Sequence, residues 1–510
     1  MANAFSRGGY MNQPHQLRFF DIYEKNARLL KHDPALIWQG QPISHADLFD
    51  QTIRLATGLS FLSPGTRVAL LSRNHPVFFH LFGAASALNL TLVLINRRLS
   101  DTEIQHIVED TTPQILICDN DMAPLGSRLV SRYPFLDQYR VVEGPDETLS
   151  SWYQAPDDFS PVPVSDSDND PYIIIHTAAV QGRPRGAVLS QTNILLSNMQ
   201  MIHYYGLTRS SCLANILPLF HIMGVNMALA TLQAGGKNVI LEKFDPVDTL
   251  TAVQDLKVTH FGSFPPILTR LLDVMDTDSY DLTGLEIAAG LDAPDTVKRW
   301  EAATHTPFWT MYGQTETAGL ITFAPYFKRP GSAGAISPLV DIKIADDLDR
   351  EQPMGETGEI LVKGPLVFQG YWNAPDLTAH TFRNGWHHTG DLGMIDADGF
   401  LHFKGRKAEK ELIKPGGENV FPAEVEQAIM QHDAVKEVCV FGVPDPEFGE
   451  GIKAVCCLHP DRTLTADALI RFTGSVIAGY KKPRYVQFIP DLPKTDNGTI
   501  DREKIKQEFS

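Results

Sequence analysis

Short apolar runs alternate with stretches of helical spacing along the first two-thirds of this chain, and that alternation restricts the fold more than any other feature. RVALLS, LTLVLI and QILICD are strand-like, whereas SHADLFDQTIRLATGLSFL places apolar residues three and four apart. Such alternation predicts helices packed on sheets. The pattern recurs over Pro171–Thr322. Gly331–Lys404 is richer in Gly and in short alternating strands (VDIKIAD, GEILVKG, GFLHFKG), which predicts a small β-barrel-like subdomain. From about Lys407 a new unit begins. AEVEQAIMQH reads as a helix with Pro422 suited to its first turn, and VKEVCVFGV and IKAVCCLH read as strands. Pro156–Pro171, rich in Pro, Ser and Asp, reads as a surface linker. The expected class is α/β. Stacked α/β subdomains over about 1–170 and 171–330 and a β-rich subdomain over 331–404 would form a large N-terminal domain, 1–406. Residues 407–510 would form a smaller α+β unit.

Composition narrows the partners. A chain of 510 residues, 43% hydrophobic and 21% charged, is long enough for more than one core and ordinary for a globular protein. Its net charge of −17 argues against nucleic acid or an anionic membrane as a default partner. The five cysteines (Cys118, Cys212, Cys439, Cys456 and Cys457) lie in apolar contexts without metal-knuckle spacing, so buried reduced thiols are expected. The longest apolar run, Val77–Ile95, contains His80, Ser86 and Asn89 and fits a buried helix followed by a strand better than a membrane span. No apolar signal core opens the sequence, so cytoplasm is the expected location, with homodimerisation left open.

The run Thr310–Thr317, TMYGQTET, carries the most chemistry. Tyr312 offers a flat face for a nucleobase, and Gly313 allows close backbone approach. Thr315 and Glu316 offer oxygens to a phosphate-bound Mg²⁺. A plain turn between two elements would fit any one of these features. The companions give them meaning: HTAAVQGRPRGAVLS (His176–Ser190), PLFHIMG (Pro218–Gly224), GWHHTGDLG (Gly385–Gly393), Gly405-Arg406 and GGENVFPAEVE (Gly416–Glu426). In this order, from about Phe19 to Ile505, the chain resembles the adenylate-forming (AMP-binding) superfamily: acyl-CoA synthetases, aryl-CoA ligases, luciferases and peptide-synthetase adenylation domains.

The resemblance implies an N-terminal AMP-binding domain with a mobile C-terminal lid hinged after Arg406, and ATP, Mg²⁺ and coenzyme A as reactants. Thr177, Gly182, Arg185 and Gly186 would hold the ATP phosphates. Tyr312 would stack on adenine, with Gly290, Leu291 and Asp292 as the opposite wall beside Gly313 and Gln314. Glu316 would be the Mg²⁺ ligand, Thr315 would touch the α-phosphate, and Asp391 and Arg406 would hold the ribose. His221 would sit beside the substrate carboxylate. Gly416 and Gly417 would flank the pantetheine tunnel, with Lys481 and Lys482 meeting CoA phosphates. Gly290, Gly313 and Gly319 would leave room for more than acetate, lined by Phe261, Phe264 and Met223: a medium-chain, alicyclic or aromatic carboxylate. The lack of an Asp in Phe220–Asn226 argues against an amino-acid substrate.

Three departures stand out. Ala178, Ala179, Val180 and Gln181 replace hydroxyl or glycine residues of the phosphate loop. Two extra residues follow Gly405-Arg406, with Ala408 at the usual hinge position. Thr499 stands where the family has its catalytic lysine, a loss on the order of 3–4 kcal/mol for a charged transition-state stabiliser. Asn497-Gly498 predicts a two-residue hairpin pairing Asp496 with Thr499 and Lys494 with Asp501, from which Lys494 could reach the vacated place. An acid–CoA ligase is the leading reading. A homologue that binds acyl-AMP or acyl-CoA but adenylates poorly, or an enzyme loading a separate carrier protein, remains open beside it.

Overall fold

The alternating pattern resolves into two large sheets, each mostly parallel. The computed structural model describes residues 17–154, 159–162, 170–177, 184–407, 412–495 and 500–510. Gly182, Ala408, Thr499, the Asn497-Gly498 turn, the altered stretch 178–181 and most of the expected linker lie outside the described residues.

The first sheet orders its strands as Gly370–Tyr371, Arg185–Ser190, Pro171–Thr177, Thr91–Leu94, Arg67–Leu71, Ile115–Cys118 and Gln138–Val141. All neighbours from Pro171–Thr177 onward are parallel. The second sheet runs Ala335–Ile336, Gly319–Pro325, Phe308–Gln314, Ile287–Gly290, His260–Ser263, Cys212–Asn215, Lys237–Ile240, Pro34–Trp38 and Gln41–Ser44. Strands buried on both faces need apolar side chains throughout, which is why Ile115–Cys118 and Thr91–Leu94 read as continuous apolar runs. Helices between them begin at self-capping serines. Ser44, Ser100 and Ser190 each accept the N3 amide, and Asp47, Glu103 and Asn193 bond back to the cap.

Helix Val77–Leu88 is buried along its entire length and is followed by strand Thr91–Leu94, as expected of the long apolar run. Among the described residues no helix is long and apolar enough to cross a membrane. All five cysteines are buried, and none is joined in a disulfide. Burial pushes the Cys118 and Cys456 thiols up to about 12, so neither supplies a thiolate nucleophile near neutrality.

The β-rich segment forms a four-stranded antiparallel sheet in the order Asp341–Ala345, Gly358–Lys363, His387–Ile395, Leu401–Arg406. The C-terminal residues build a further sheet from Val435–Asp445, Gly449–Leu458 and Tyr485–Phe488, with helices Pro422–Ile429 and Ala466–Val476 covering it. The expected register near the C-terminus is off by one residue: Lys494 pairs with Ile500, and the Asp501 amide bonds to the Pro493 carbonyl. That pairing differs by one residue from the register a two-residue turn at Asn497-Gly498 would impose.

Asn74, 3% exposed, fastens the two large sheets where they matter for the site. Its Nδ2 donates to the carbonyls of Asn215, Leu217 and Leu241, and its Oδ1 accepts from the Leu219 amide. The segment leading to His221 is thereby fixed. Asn74→Ala should cost about 2–3 kcal/mol, because it strands buried backbone groups. A lowered urea midpoint in equilibrium unfolding checks this.

Candidate active site

A cavity of about 930 Å³ opens where the second sheet, the β-rich sheet and the C-terminal unit meet. Asp391 anchors one end. It is 2% exposed, and its Oδ2 accepts from the Tyr312 hydroxyl (2.8 Å) and from Gln314 Nε2 (2.7 Å). Its Oδ1 accepts from Arg406 Nε at 2.8 Å. The backbone explains the meeting: Asp391 and Arg406 face each other in register across adjacent strands, while Tyr312 and Gln314 end a strand of the neighbouring sheet. The Arg406 guanidinium also lies over the Phe403 ring, at 5.8 Å. Burial, and then the Asp391 charge, hold the Tyr312 phenol well above its usual value, so it stays a donor.

The strand Phe308–Gln314 ends in a single 3₁₀ turn, Thr315–Thr317, and returns antiparallel as Gly319–Pro325. Glu316 Oε1 accepts from the Tyr371 hydroxyl at 2.8 Å and from Thr177 Oγ1 at 3.5 Å. Arg185 stacks its guanidinium over Tyr371 at 5.9 Å and feels the Glu316 charge. Gly186 holds its strand close, since a Cβ there would meet Ile174 at 2.7 Å. Thr177, Arg185, Thr315 and Glu316 thus share one wall, with Tyr371 as a member the sequence reading missed. The oxygens of Thr177, Thr315 and Glu316 are a hard donor set that fits Mg²⁺ completed by nucleotide phosphates.

The other end belongs to the C-terminal unit. The turn Pro415–Gly417 enters the cavity with Gly416 at φ +59° and Gly417 at φ +84°. Side chains there would press on Pro265 and Phe264, each within 3.2 Å of an added Cβ. Glu418 follows, buried, and accepts from Arg98 Nη1 at 2.6 Å while His221 Nε2 lies 3.3 Å away. Burial alone would raise the Glu418 carboxyl, but His221 and Arg98 bring it down to about 2. Lys414 also lines the cavity. Burial, reinforced by Arg406, lowers its ammonium to about 8 against the opposing pull of Asp391 and Glu450. The sequence reading did not single out Arg98, Lys414 or Glu418, because each becomes legible only when the C-terminal unit is docked.

Other assigned residues sit elsewhere. Lys494 is half-exposed, bonds to Glu437 at 2.6 Å and does not line the cavity. Lys481 is buried between two carboxylates, whereas Lys482 is exposed. Neither lines the cavity, and in this arrangement Lys481 cannot also present its ammonium to a phosphate. Leu291 lines the cavity, but Gly290 and Asp292 do not. Burial raises Asp292 to about 6, and its Oδ1 accepts from the Ala293 amide. Met223 and Phe264 line the cavity as expected, while Phe261 turns away to pack on Trp300. The glycines expected to widen the pocket do something else. A Cβ on Gly290 would strike the Ser263 carbonyl (1.6 Å), one on Gly313 the Gly319 carbonyl (1.9 Å), and one on Gly319 the Asn226 amide (2.4 Å). Gly290 and Gly313 permit close strand packing and Gly319 makes room for the Asn226 side chain, so Gly313→Trp would break the sheet before it shortened the pocket.

The family model for AMP-binding enzymes matches residues 23–372, and that for the AMP-binding enzyme C-terminal domain matches residues 424–499. The chain belongs to the AMP-binding enzymes. Feruloyl-CoA synthase from Amycolatopsis sp is 31% identical, covering 95% of this chain and 98% of its own. Solved structures match as well, two of them as follows. The o-succinylbenzoate CoA synthetase of Bacillus subtilis, a double mutant bound with its product analogue, is 26% identical with a TM-score of 0.84 over 95% of this chain and 97% of its own. ATP-bound MatB from Rhodopseudomonas palustris is 29% identical with a TM-score of 0.70 over 96% of this chain and 100% of its own. This AMP-binding enzyme is of the acid–CoA ligase type.

For such an enzyme the Asp391 cluster gives a direct test. Asp391→Ala removes the acceptor shared by Tyr312, Gln314 and Arg406, and AMP affinity measured by calorimetry should fall by roughly 10²-fold, as for loss of a charged hydrogen bond. Unaltered affinity would remove Asp391 from the nucleotide site.

Proposed function

We propose that this enzyme activates a medium-chain, alicyclic or aromatic monocarboxylate with ATP and transfers the acyl group to CoA. The observation that carries the reading is the joining of two half-sites in one cavity: the Tyr312–Asp391–Arg406 cluster at one end, the Pro415–Glu418 turn against Phe264 and Pro265 at the other. In the first step a carboxylate oxygen attacks the α-phosphate and pyrophosphate departs. Arg185 and Thr315 would face the phosphates, and Glu316 would hold Mg²⁺, which when bound neutralises triphosphate charge. In the second step the CoA sulfur attacks the acyl carbonyl and AMP departs. CoA brings its own thiol, so positioning and charge are what the protein must supply.

The docked C-terminal unit suits the second step. Pro415–Glu418 lies in the cavity, and Lys494 lies outside it. Lys414 would face the phosphate of the departing AMP, and His221, held by Glu418, would border the acyl carbonyl.

The substrate class rests on the wall beyond His221. Met223, Phe244, Phe264 and Leu320 line it, which suits an acyl chain without a second charge. The likeness to feruloyl-CoA synthase puts aromatic acids first. In a panel of acids, hydroxycinnamates, benzoates, cyclohexanecarboxylate and medium-chain fatty acids should support AMP release, and dicarboxylates should not. CoA should be required for turnover. AMP release without any thioester product would favour a carrier-loading enzyme, and no AMP release with any acid would favour a binding protein.

Lys414 gives the pH dependence. Its ammonium, lowered to about 8, is charged below that pH and neutral above it. With supplied acyl-AMP, kcat/KM for thioester formation should therefore fall as pH rises through about 8. Lys414→Arg should move that fall to higher pH, and Lys414→Ala should abolish it together with most of the activity.

A further inference from the structure

Lys481 is among the most buried charged side chains in the molecule, at 2% exposure, and the nucleotide chemistry does not use it. Its Nζ bonds to Oε1 of Glu103 and, at 2.5 Å, to Oε1 of Glu424. The three come from different places. Glu103 sits in the first turn of helix Asp101–Thr111, on the first sheet's side, whereas Glu424 and Lys481 belong to the C-terminal unit. Glu103 is held rigidly, because its Oε2 accepts from the Ser100 amide and hydroxyl, both at 2.7 Å. Among the described residues, Oε2 of Glu424 is buried without a hydrogen-bond partner.

Building on the acid–CoA ligase reading, we propose that Lys481 is a positioning residue: by bridging Glu424 to Glu103 it latches the C-terminal unit in the arrangement that places Pro415–Glu418 in the cavity. Glu103 stays behind when the unit swings away, leaving Lys481 and Glu424 as a matched pair. Docking therefore brings a second carboxylate to a single buried ammonium. Two carboxylates and one lysine cannot all remain charged there without cost. The groups facing the triad are the Tyr480 hydroxyl, Glu418 and Arg98, with His221 beyond Glu418. Their charges leave the locality acidic.

A proton on Glu424, whose carboxyl lies against Glu103 at the shared ammonium, resolves the mismatch. Burial first, and then Glu103, raise the Glu424 carboxyl to about 7 despite Lys481, while Lys481 and the Ser100 bonds keep Glu103 low despite its burial. The sign follows. A carboxyl whose acidity falls on docking favours the docked state when protonated, so the latch tightens as pH drops through about 7 and loosens above it. The enzyme would take up one proton on entering the thioester-forming arrangement and release it on leaving.

The test uses the full-length enzyme in two assays. One separates the half-reactions: pyrophosphate release from ATP and acid, and thioester formation from supplied acyl-AMP and CoA. Lys481→Met should lower the second by on the order of 10²-fold, as expected for breaking a buried ion pair, and spare the first. Lys481→Arg should restore much of the loss. The other assay measures the distance between spin labels on exposed Ser131 and Ser475, without substrates. The docked population should fall between about pH 6 and about pH 8 in the wild type. It should be low at both values in Lys481→Met. In Glu103→Gln, which keeps an acceptor but removes the extra charge, it should be high and insensitive to pH. Equal loss of both half-reactions, no loss in either, or the same pH response in Glu103→Gln as in wild type would overturn the proposal. If no acid yields a thioester, the ligase reading fails, and the label distances still decide whether the latch exists.

Discussion

A single buried carboxylate organises this molecule's chemistry. Asp391 accepts hydrogen bonds from Tyr312, Gln314 and Arg406, so one charge ties the end of a strand in the second sheet to the last two strands of the β-rich sheet. The carboxylate would be unfavourable at 2% exposure without those donors, and the donors would have no common target without it. Arg406 adds a compensating charge and ends the strand from which the chain passes into the C-terminal unit. This end of the cavity is therefore shaped before any ligand arrives.

The rest of the site hangs from that anchor in two layers. The N-terminal layer is close-packed at its glycines: the Gly290 and Gly313 backbones lie against the Ser263 and Gly319 carbonyls, and Gly319 lies against the Asn226 side-chain amide. The C-terminal layer is joined through charged contacts. Glu418 meets Arg98 and His221, Glu447 bridges Arg270 and Arg484, and Lys481 meets Glu103. Charged contacts can be broken and remade with less loss than an apolar seam, because the separated groups recover hydration. Such a seam fits the proposed two-step reaction, in which one face of the domain would serve each half-reaction.

Much of this was legible from residue order alone. Helix His45–Leu59, the helix–strand pair of the long apolar run and the first-sheet strands Arg67–Leu71, Thr91–Leu94 and Ile115–Cys118 follow from spacing, because burial on one or two faces leaves a periodic record. Tyr312, Glu316, Asp391 and Arg406 followed from motif order. What spacing could not show was direction. Gly313 reads as open space in a sequence, but its missing Cβ points at a carbonyl. Lys481 and Lys482 read as equivalent neighbours, yet one is buried against Glu103 and the other faces solvent. Lys494 pairs one residue away from the register that Asn497-Gly498 suggested. Tyr371, Lys414 and Glu418 joined the site through contacts between distant segments, which no local pattern encodes.

In the proposed reaction the carboxylic acid is activated by direct attack of its own oxygen on the α-phosphate of ATP. Mass spectrometry of AMP formed from an acid labelled with oxygen-18 in its carboxylate tests this most directly. Transfer of one labelled oxygen into the AMP phosphate, with unlabelled pyrophosphate, is the predicted result. Label recovered in inorganic phosphate beside ADP, or AMP formed without label, would contradict it.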